Sequence, residues 1–228
     1  MLLTTILFDA GDILYNKPNR KSSVIKFLIE RGYAAPAQND LVEKAKRRDA
    51  HAGQIETGQF FKWLMAHYGV TDTTDVADGI KLLTEQQSDV HFFDGVPETL
   101  HELKRRGFKL GIVTNTFNSR HEKNIWFKTV GIDGIWDSYA DSSELQITKP
   151  DPAIYMAALT PLGVSPEHAA FVGHAQVEID GAKAVGLTTI MFNPDANCTI
   201  ADYTMHHFGD LLDIPPIAEA SQSLIKAP

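Results

Sequence analysis

Residues 2–12 read LLTTILFDAGD, an apolar run that ends in an acidic turn containing one glycine. The run from Leu2 to Phe8 lacks polar alternation, and this pattern favours a strand buried on both faces of a parallel sheet. Asp9 follows the run directly, at the carboxyl end of the strand, where open parallel sheets bind their ligands. An aspartate there is a candidate nucleophile or metal ligand, and the alternative is a turn or helix-capping aspartate.

The region between residues 18 and 88 has a helical texture and no strand pattern. Helices are predicted there at 22–31, 41–52, 59–68 and 76–87. Ser22 is expected to cap the first helix. The charged stretch Lys44–Arg48 is interpreted as a solvated helix face, with contact to an anionic substrate as the alternative. The aromatic stretch Phe60–Trp63 is interpreted as the core of the helical region.

From residue 91 onwards, strand and helix patterns alternate. Strands are predicted at 109–114, 136–140, 169–172 and 188–192, and helices at 97–106, 118–129, 151–162 and 181–185. Helical crossovers between strands build a parallel sheet. The predicted fold class is therefore α/β, a Rossmann-like parallel sheet formed by residues 1–16 and 90–228, with a helical cap domain inserted at residues 17–89. The tail beyond Pro215 is small and polar, and we expect it to be mobile.

Composition excludes several classes of protein. The 228 residues are 43% hydrophobic and carry a formal net charge of −8, which supports a packed core and argues against nucleic-acid or anionic-membrane binding. The single cysteine, Cys198, excludes an intramolecular disulfide. No apolar run approaches the roughly 20 residues that span a bilayer. We therefore expect a soluble cytoplasmic protein, a monomer or homodimer, without a nucleic-acid or membrane partner.

Polar residues follow three of the predicted strands, and parallel strands bring such ends to one edge of a sheet. These residues are Asp9, the pair Thr114–Asn115, and His174. Lys149 precedes a predicted helix, and Glu178 follows the third strand. A carboxylate nucleophile, a hydroxyl, a fixed lysine and metal-binding oxygens together suit phosphoryl transfer, in which positioning and charge stabilisation dominate.

Four stretches, in this order, resemble the motifs of haloacid dehalogenase-type (HAD) hydrolases that carry a small helical cap after the first motif. They are FDAGDIL (8–14), LGIVTN (110–115), KPDPAIY (149–155) and FVGHAQVEIDGAKAVGL (171–187). The resemblance implies that Asp9 is phosphorylated and later hydrolysed. It also implies that Thr114 and Asn115 contact the phosphoryl group and that Lys149 neutralises charge. The leading expectation is a hydrolase of phosphatase type acting on a small phosphorylated metabolite.

The first motif departs from the family pattern. Family phosphatases carry an acid–base aspartate two residues after the nucleophile, where this chain has Gly11. Asp12 comes next, but alternate residues of an extended segment point to opposite sides, so simple replacement is not expected. Acid–base assistance is worth about 10²–10⁴-fold in rate. We therefore expect weak hydrolysis of alkyl phosphates, with acyl and aryl phosphates least affected.

The fourth motif departs as well, because His174 and Glu178 replace its acidic metal-binding pattern. The predicted ligands of a weakened Mg²⁺ site are Asp9, the Gly11 carbonyl and Glu178, and Gly11 and Asn115 are placed at the substrate. A different divalent ion is an alternative, since imidazole suits transition metals better than Mg²⁺. The other alternative is no metal, with His174 acting as a base or as a cation beside Asp9.

Two further functions stay open at this point. The two departures favour a catalytically silent protein that binds a phosphorylated ligand or a partner, although retention of Asp9, Thr114 and Lys149 argues against complete decay. A metal-independent 2-haloacid dehalogenase, or other repurposed chemistry, would not need the missing acid. Family dehalogenases, however, carry a tyrosine at the position of Gly11 and a Ser-Asn pair in the fourth motif, which here contains His174 and Ala175.

Overall fold

The first strand, β1 (Thr5–Phe8), is buried along its whole length in the computed structural model, which describes residues 2–224. Two short strands, β2 (Tyr15–Asn16) and β3 (His91–Phe92), pair antiparallel into a ribbon. The predicted domain boundaries, after residue 16 and before residue 90, fall beside this ribbon. Between the two strands lie the helices α1 (Arg20–Glu30), α2 (Leu41–His51), α3 (Thr57–His67) and α4 (Thr73–Gln86).

These four helices, called the cap below, enclose a hydrophobic core of their own. Phe60 and Phe61 are buried in it, which confirms the interpretation of that aromatic stretch as core. Gly79 of α4 permits close helix packing, because a Cβ atom there would collide with the side chain of Met65.

The rest of the described chain completes a six-stranded sheet in which each neighbouring pair is parallel. Its further strands are β4 (Lys109–Thr114), β5 (Ser138–Asp141), β6 (Ala169–Gly173), β7 (Thr188–Phe192) and β8 (Tyr203–Met205). The order across the sheet is β5-β4-β1-β6-β7-β8, so the chain builds outward on both sides of β1. The predicted α/β class with a Rossmann-like parallel sheet is confirmed.

Helices pack on both faces of this sheet. They are α5 (Val96–Arg105), α6 (Arg120–Thr129), α7 (Ser142–Leu145), α8 (Pro152–Leu159), α9 (Gln176–Val185) and α10 (Pro215–Leu224). Side chains of α5, α6 and α10 share one core with Ile6 and Phe8, and those of α8 and α9 share the other with Leu7. Alternate residues of β1 thus serve separate cores, as the pleat of a strand requires. No helix within residues 2–224 is long and apolar enough to cross a membrane.

Several helices begin a few residues from the predicted position, and two of these differences change the interpretation. α1 begins at Arg20, so Ser22 lies inside the helix and the prediction that it is the cap is wrong. α9 begins at Gln176 rather than at Gly181, which places Glu178 in its first turn. That longer helix matters for the site, because its first turn faces the carboxyl end of β1.

The tail also differs from expectation. The residues after Pro215 form α10 as far as Leu224, and the expectation of mobility is wrong for that part of the chain. Ile217 and Ala220 are completely buried, and the Arg106 guanidinium donates to the Ser221 hydroxyl. Small residues let this helix pack close to its neighbours, which hydropathy alone did not indicate. The expectation for residues 225–228 lies outside the described residues.

Candidate active site

Three neighbouring strands, β4, β1 and β6, deliver polar residues to one edge of the sheet. Thr114 is the last residue of β4, Asp9 follows β1, and His174 follows β6. The strands are parallel and in register, so their carboxyl ends lie side by side. The Asp9 amide donates to the Val172 carbonyl at 3.0 Å, which ties the start of the turn to β6.

Asp9 lies between two cationic side chains. Nζ of Lys149 is 2.7 Å from Oδ1 of Asp9, and Nε2 of His174 is 3.6 Å from Oδ2. The Ala10 amide also donates to Oδ1, at 2.7 Å. Burial alone would raise the pKa of Asp9, but Lys149 and His174 lower it well below its usual range. Asp9 is therefore ionised at neutral pH, as a carboxylate nucleophile must be.

Lys149 is buried and joins Asp9 to Glu178. Its Nζ atom lies 3.1 Å from Oε2 of Glu178, in addition to its contact with Asp9. Burial opposes the lysine charge, but the two carboxylates raise the pKa of Lys149. Burial raises the pKa of Glu178 to about 7, since the attraction of Lys149 is offset in part by the charge of Asp9. Lys149 is thus the shared cation of a buried ion-pair network.

Asn115 holds the Lys149 segment in place. Its carboxamide accepts from the Lys149 amide at 2.9 Å and donates to the Lys149 carbonyl at 3.3 Å. The same side chain lines the pocket beside Thr114. Because the carboxamide already serves the Lys149 main chain, direct contact between Asn115 and a substrate stays a prediction.

His174 lies between two carboxylates. Its Nδ1 atom is 3.1 Å from Oδ1 of Asp195, and the Asp195 amide donates to the His174 carbonyl at 3.0 Å. Burial would lower the pKa of His174, but Asp195 and Asp9 raise it to about 10. Without a bound metal the ring therefore carries a proton on both nitrogens. We call Asp9, Lys149, Glu178, His174 and Asp195 the core network.

The turn after Asp9 is not extended. Asp12 has a φ of 59°, in the left-handed region, and its amide donates to the Tyr15 carbonyl at 2.7 Å. The argument that alternation points Asp12 away from the site is therefore wrong, and Gly11 and Asp12 both line the pocket. Burial raises the pKa of Asp12. A Cβ atom on Gly11 would meet no heavy atom within 4 Å, so the place of the missing acid is open.

The pocket has a volume of about 560 Å³, and its cap side is cationic. The side chains that we call the cap wall are Lys17, Arg20, Lys44 and Arg47. The interpretation of the stretch Lys44–Arg48 as a solvated face holds for Lys44 and Arg48, which are exposed. It is wrong for Arg47, which is partly buried and pairs with Glu43.

Phe117, three residues after Thr114, joins this edge of the sheet to the cap. Its ring centroid lies 5.3 Å from that of Phe60 and 4.1 Å from that of His51. Nearby, the Ser142 hydroxyl donates to the His51 carbonyl at 2.6 Å. The cap is thus seated on the core directly beside the loop that follows β4.

The family model for haloacid dehalogenase-like hydrolases matches residues 11–192, most of the chain. This chain is a haloacid dehalogenase-like hydrolase. The predicted membership of that family is thereby confirmed.

Three similar proteins place this HAD-like hydrolase among relatives. It is 25% identical to the glyceraldehyde 3-phosphate phosphatase of Methanopyrus kandleri, over 93% of this chain and 97% of that protein. It is 32% identical to the pyrophosphatase PpaX of Bacillus velezensis, over 54% of this chain and 58% of that protein. A solved structure of a predicted phosphoglycolate phosphatase from Haemophilus somnus superposes with a TM-score of 0.67 at 19% identity, over 93% and 98% of the two chains. The last match shows the shared fold.

A divalent ion is compatible with the HAD-like hydrolase site. Asp9, His174 and Glu178 each offer one ligand atom, and these atoms lie within 4.8 Å of one another. Two carboxylates and one imidazole suit a transition-metal ion such as Mn²⁺ better than Mg²⁺, which prefers oxygen ligands. Asp195 on the other ring nitrogen of His174 matches the carboxylate that commonly orients a metal-bound histidine.

Sequence reasoning did not name four residues of this HAD-like hydrolase that the structure places at or next to the site. They are Lys17, Arg20, Lys123 and Asp195. Lys123 is buried and donates to the Thr114 hydroxyl at 3.3 Å, and burial lowers its pKa to about 8. Lys123 could have been recognised from the sequence, because it lies four residues before Phe127 and therefore on the same face of the predicted helix. Asp195 could have been found as a polar residue after the strand that ends at residue 192, whereas nothing in the sequence distinguishes Lys17 and Arg20 from surface cations.

Proposed function

We propose that this HAD-like hydrolase is a phosphatase that acts on a small phosphorylated metabolite through an aspartyl-phosphate on Asp9. The observation that carries the proposal is the buried carboxylate of Asp9, kept ionised by Lys149 at 2.7 Å at the end of a pocket large enough for a small metabolite. The phosphatase names of two sequence relatives support the same reading.

The proposed reaction has two steps. A carboxylate oxygen of Asp9 attacks phosphorus, the bond between phosphorus and the ester oxygen breaks, and the substrate alcohol leaves with a proton. A water molecule then attacks the aspartyl-phosphate, which releases inorganic phosphate and restores the carboxylate. The Thr114 hydroxyl, at the edge of the pocket, is proposed to donate to a phosphoryl oxygen, and Lys149 to offset the charge on Asp9.

Asp12 is the proposed source of the proton for the leaving alcohol. Of the acidic side chains in the pocket, Asp9 is the nucleophile, Glu178 pairs with Lys149, and Asp195 pairs with His174. Asp12 remains, it lines the pocket, and its pKa is raised by burial. Its position in a left-handed turn differs from that of an acid at residue 11, so we expect assistance weaker than the usual about 10²–10⁴-fold.

A divalent ion, where bound, would be held by Asp9, Glu178 and His174 and would supply positive charge next to the transferred phosphoryl group. We propose Mn²⁺ or a similar ion ahead of Mg²⁺ because of the imidazole ligand. Binding of the ion would have to displace the proton on Nε2 of His174.

The test is release of phosphate from 4-nitrophenyl phosphate, acetyl phosphate and glycerol phosphate, in Mn²⁺, Mg²⁺ or EDTA. Asp9→Asn is the inactive variant, and Asp133→Asn is the matched control because Asp133 is exposed. Turnover that survives in Asp133→Asn and disappears in Asp9→Asn is the expected result.

The same samples separate the rival functions. Chloride release from 2-chloropropionate, insensitive to EDTA and lost in Asp9→Asn, would indicate a dehalogenase. Absence of turnover on all phosphates and on the haloacid would overturn the phosphatase proposal and favour a silent binding protein.

A further inference from the structure

The cap wall presents four cations to the pocket and offers them few anionic partners. Arg47 pairs with Glu43 on the preceding turn of α2. Lys17 donates to the neutral amides of Asn118 and Gln87, at 2.9 and 3.3 Å. The one charged partner in this group is therefore Glu43.

The other two cations, Lys44 and Arg20, form no ion pair within residues 2–224. Lys44 donates to the neutral amide of Asn39 at 3.3 Å. Arg20 makes no ion pair or side-chain hydrogen bond among residues 2–224, and its guanidinium lies 5.8 Å from the centre of the Phe117 ring. Within residues 2–224, the pair of Arg47 with Glu43 is thus the only ion pair of the cap wall, although Asp12 also attracts Lys17 and Arg20.

Burial and mutual repulsion both act on the pKa values of the cap wall. Burial and the charge of Arg47 lower the pKa of Arg20 to about 10. Burial and the charge of Arg20 lower the pKa of Lys17 to about 7. An oxyanion placed among these groups would offset the repulsion and raise both pKa values.

We propose that the cap wall binds a second oxyanion of the substrate, so that the substrate carries a phosphate or carboxylate in addition to the phosphoryl group that is transferred. This inference rests on the proposed phosphatase function. Guanidinium groups bind planar or tetrahedral oxyanions through two hydrogen bonds, and two arginines and two lysines suit a dianion best. The core network supplies its own cations, Lys149 and His174, to the reacting group.

The shape of the pocket is consistent with a short bis-anionic substrate. Asp9 and all four cap-wall cations line one cavity of about 560 Å³, which suits a small carbon skeleton between the two anions. The four cations also line a neighbouring cavity of about 820 Å³ that extends into the cap. The four cations therefore lie where the two cavities meet. A substituent on the carbon skeleton of the substrate can extend from there into the cap.

The experiment compares ligands that are not hydrolysed. Calorimetric titration measures Kd for propane-1,3-diyl bisphosphonate, 3-phosphonopropionate and propylphosphonate, which carry a second phosphonate, a second carboxylate or no second anion. The test variant is Arg20→Gln, chosen because Arg20 has no carboxylate partner to leave behind. The control is Arg48→Gln, the same change on an exposed residue of α2 that does not line the pocket.

We expect the wild type to bind the bisphosphonate at least about tenfold more tightly than propylphosphonate, as for one added charge-assisted contact. The advantage should fall by a similar factor in Arg20→Gln and persist in Arg48→Gln. The ligand with the lower Kd, the bisphosphonate or 3-phosphonopropionate, identifies the second anion as a phosphate or a carboxylate. Equal affinity for the three ligands, or an advantage unchanged in Arg20→Gln with its fold verified by circular dichroism, would overturn the proposal.

Failure of this inference differs from failure of the phosphatase function. Turnover of 4-nitrophenyl phosphate, which has no second anion, tests the core network in the wild type. Turnover without preference for bis-anions removes the cap-wall inference alone. A preference that depends on Arg20 without any phosphate release would remove the phosphatase proposal and retain an anion-binding pocket.

Discussion

The core network and the cap wall border one pocket but differ in how their charges are compensated. In the core network Lys149 contacts Asp9 and Glu178, and His174 lies between Asp9 and Asp195, so each cation has anionic neighbours before a ligand arrives. In the cap wall, Arg47 pairs with Glu43, and the other three cations form no ion pair within residues 2–224. The core network therefore has the preorganised charges of a reaction centre, whereas most cations of the cap wall lack an anionic partner until a ligand binds.

This contrast follows from what each wall must do. Preorganised charges cost no reorganisation when the reaction occurs, so a reaction centre benefits from partners that are already in place. A binding surface gains affinity when the ligand replaces repulsion with attraction. Variants on the two walls should therefore alter different quantities, turnover for the core network and affinity for the cap wall.

The largest effect is expected for Asp9→Asn. The amide cannot attack phosphorus, so kcat for 4-nitrophenyl phosphate should fall by about 10³-fold or more. The binding advantage of a bisphosphonate over propylphosphonate should stay within about threefold, because the cap wall is unchanged. Loss of that advantage together with turnover would show that the two walls do not act separately.

Asp12→Asn should lower turnover according to the leaving group. We expect a loss of about 10–100-fold for glycerol phosphate, whose alkoxide needs a proton, and little loss for 4-nitrophenyl phosphate. Adding Gly11→Asp to this variant should recover glycerol phosphate turnover, since a side chain at Gly11 meets no neighbour within 4 Å. Gly11→Asn in the same background is the matched control. Equal losses for both substrates would contradict an acid–base role for Asp12.

Gly181→Ala tests the packing of α9 against the segment that carries Lys149. A Cβ atom at Gly181 would lie 2.7 Å from Cβ and 2.8 Å from the carbonyl oxygen of Pro150, which follows Lys149. We expect a loss of about 1–3 kcal/mol in the free energy of unfolding and a lower kcat, as the segment moves. Gly134→Ala is the control, because a Cβ atom there meets nothing within 4 Å. Urea denaturation measures the free energy of unfolding of both variants, and equal values would contradict this packing.

The smallest predicted effect is a pH dependence at Lys17. Its pKa is about 7 in the free protein, and a bound anion would raise it. The lysine therefore contributes fully to bisphosphonate binding below pH 7, and the contribution is lost as pH rises above 7 toward the pKa of the complex. The groups that face Lys17 are Arg20, Lys123, Glu122, Asp12, Gln87, Asn118 and the Trp126 ring.

The ligand itself titrates in this range, so the measurement is the ratio of Kd values for Lys17→Met and wild type at each pH. We expect a ratio of several-fold at pH 6 that declines toward one by about pH 9. A ratio that does not vary with pH would show that Lys17 does not titrate against the ligand.

The sheet and its site edge could be predicted because buried parallel strands leave continuous apolar runs. The bounds of β4 and β7 agree with the sequence prediction to the residue. By contrast, β8 (Tyr203–Met205) is short and half polar, and α10 packs through small residues, so neither has a strong hydropathy signal.

Site residues that directly follow a strand could be predicted from the sequence. Site residues whose position depends on tertiary packing could not. Asp9, Thr114 and His174 follow from strand ends alone. The direction of Asp12 depends on a left-handed turn, and no local pattern distinguished it from an extended continuation. The partial burial of Arg47 depends on how α2 packs against its neighbours, which the sequence of one helix cannot specify by itself.

The seating of Phe117 has a consequence for exchanging parts of this molecule. By sequence the residue belongs to the loop after β4, yet its ring packs among His51, Phe60 and Phe61 of the cap. A cap transplanted from a relative would need a matching aromatic cavity, or it would leave that ring in water beside the edge of the sheet that carries Asp9. We therefore expect the fit of a cap to depend on this one residue of the core as well as on the cap itself. Grafts that change both should keep their activity better than grafts of the cap alone.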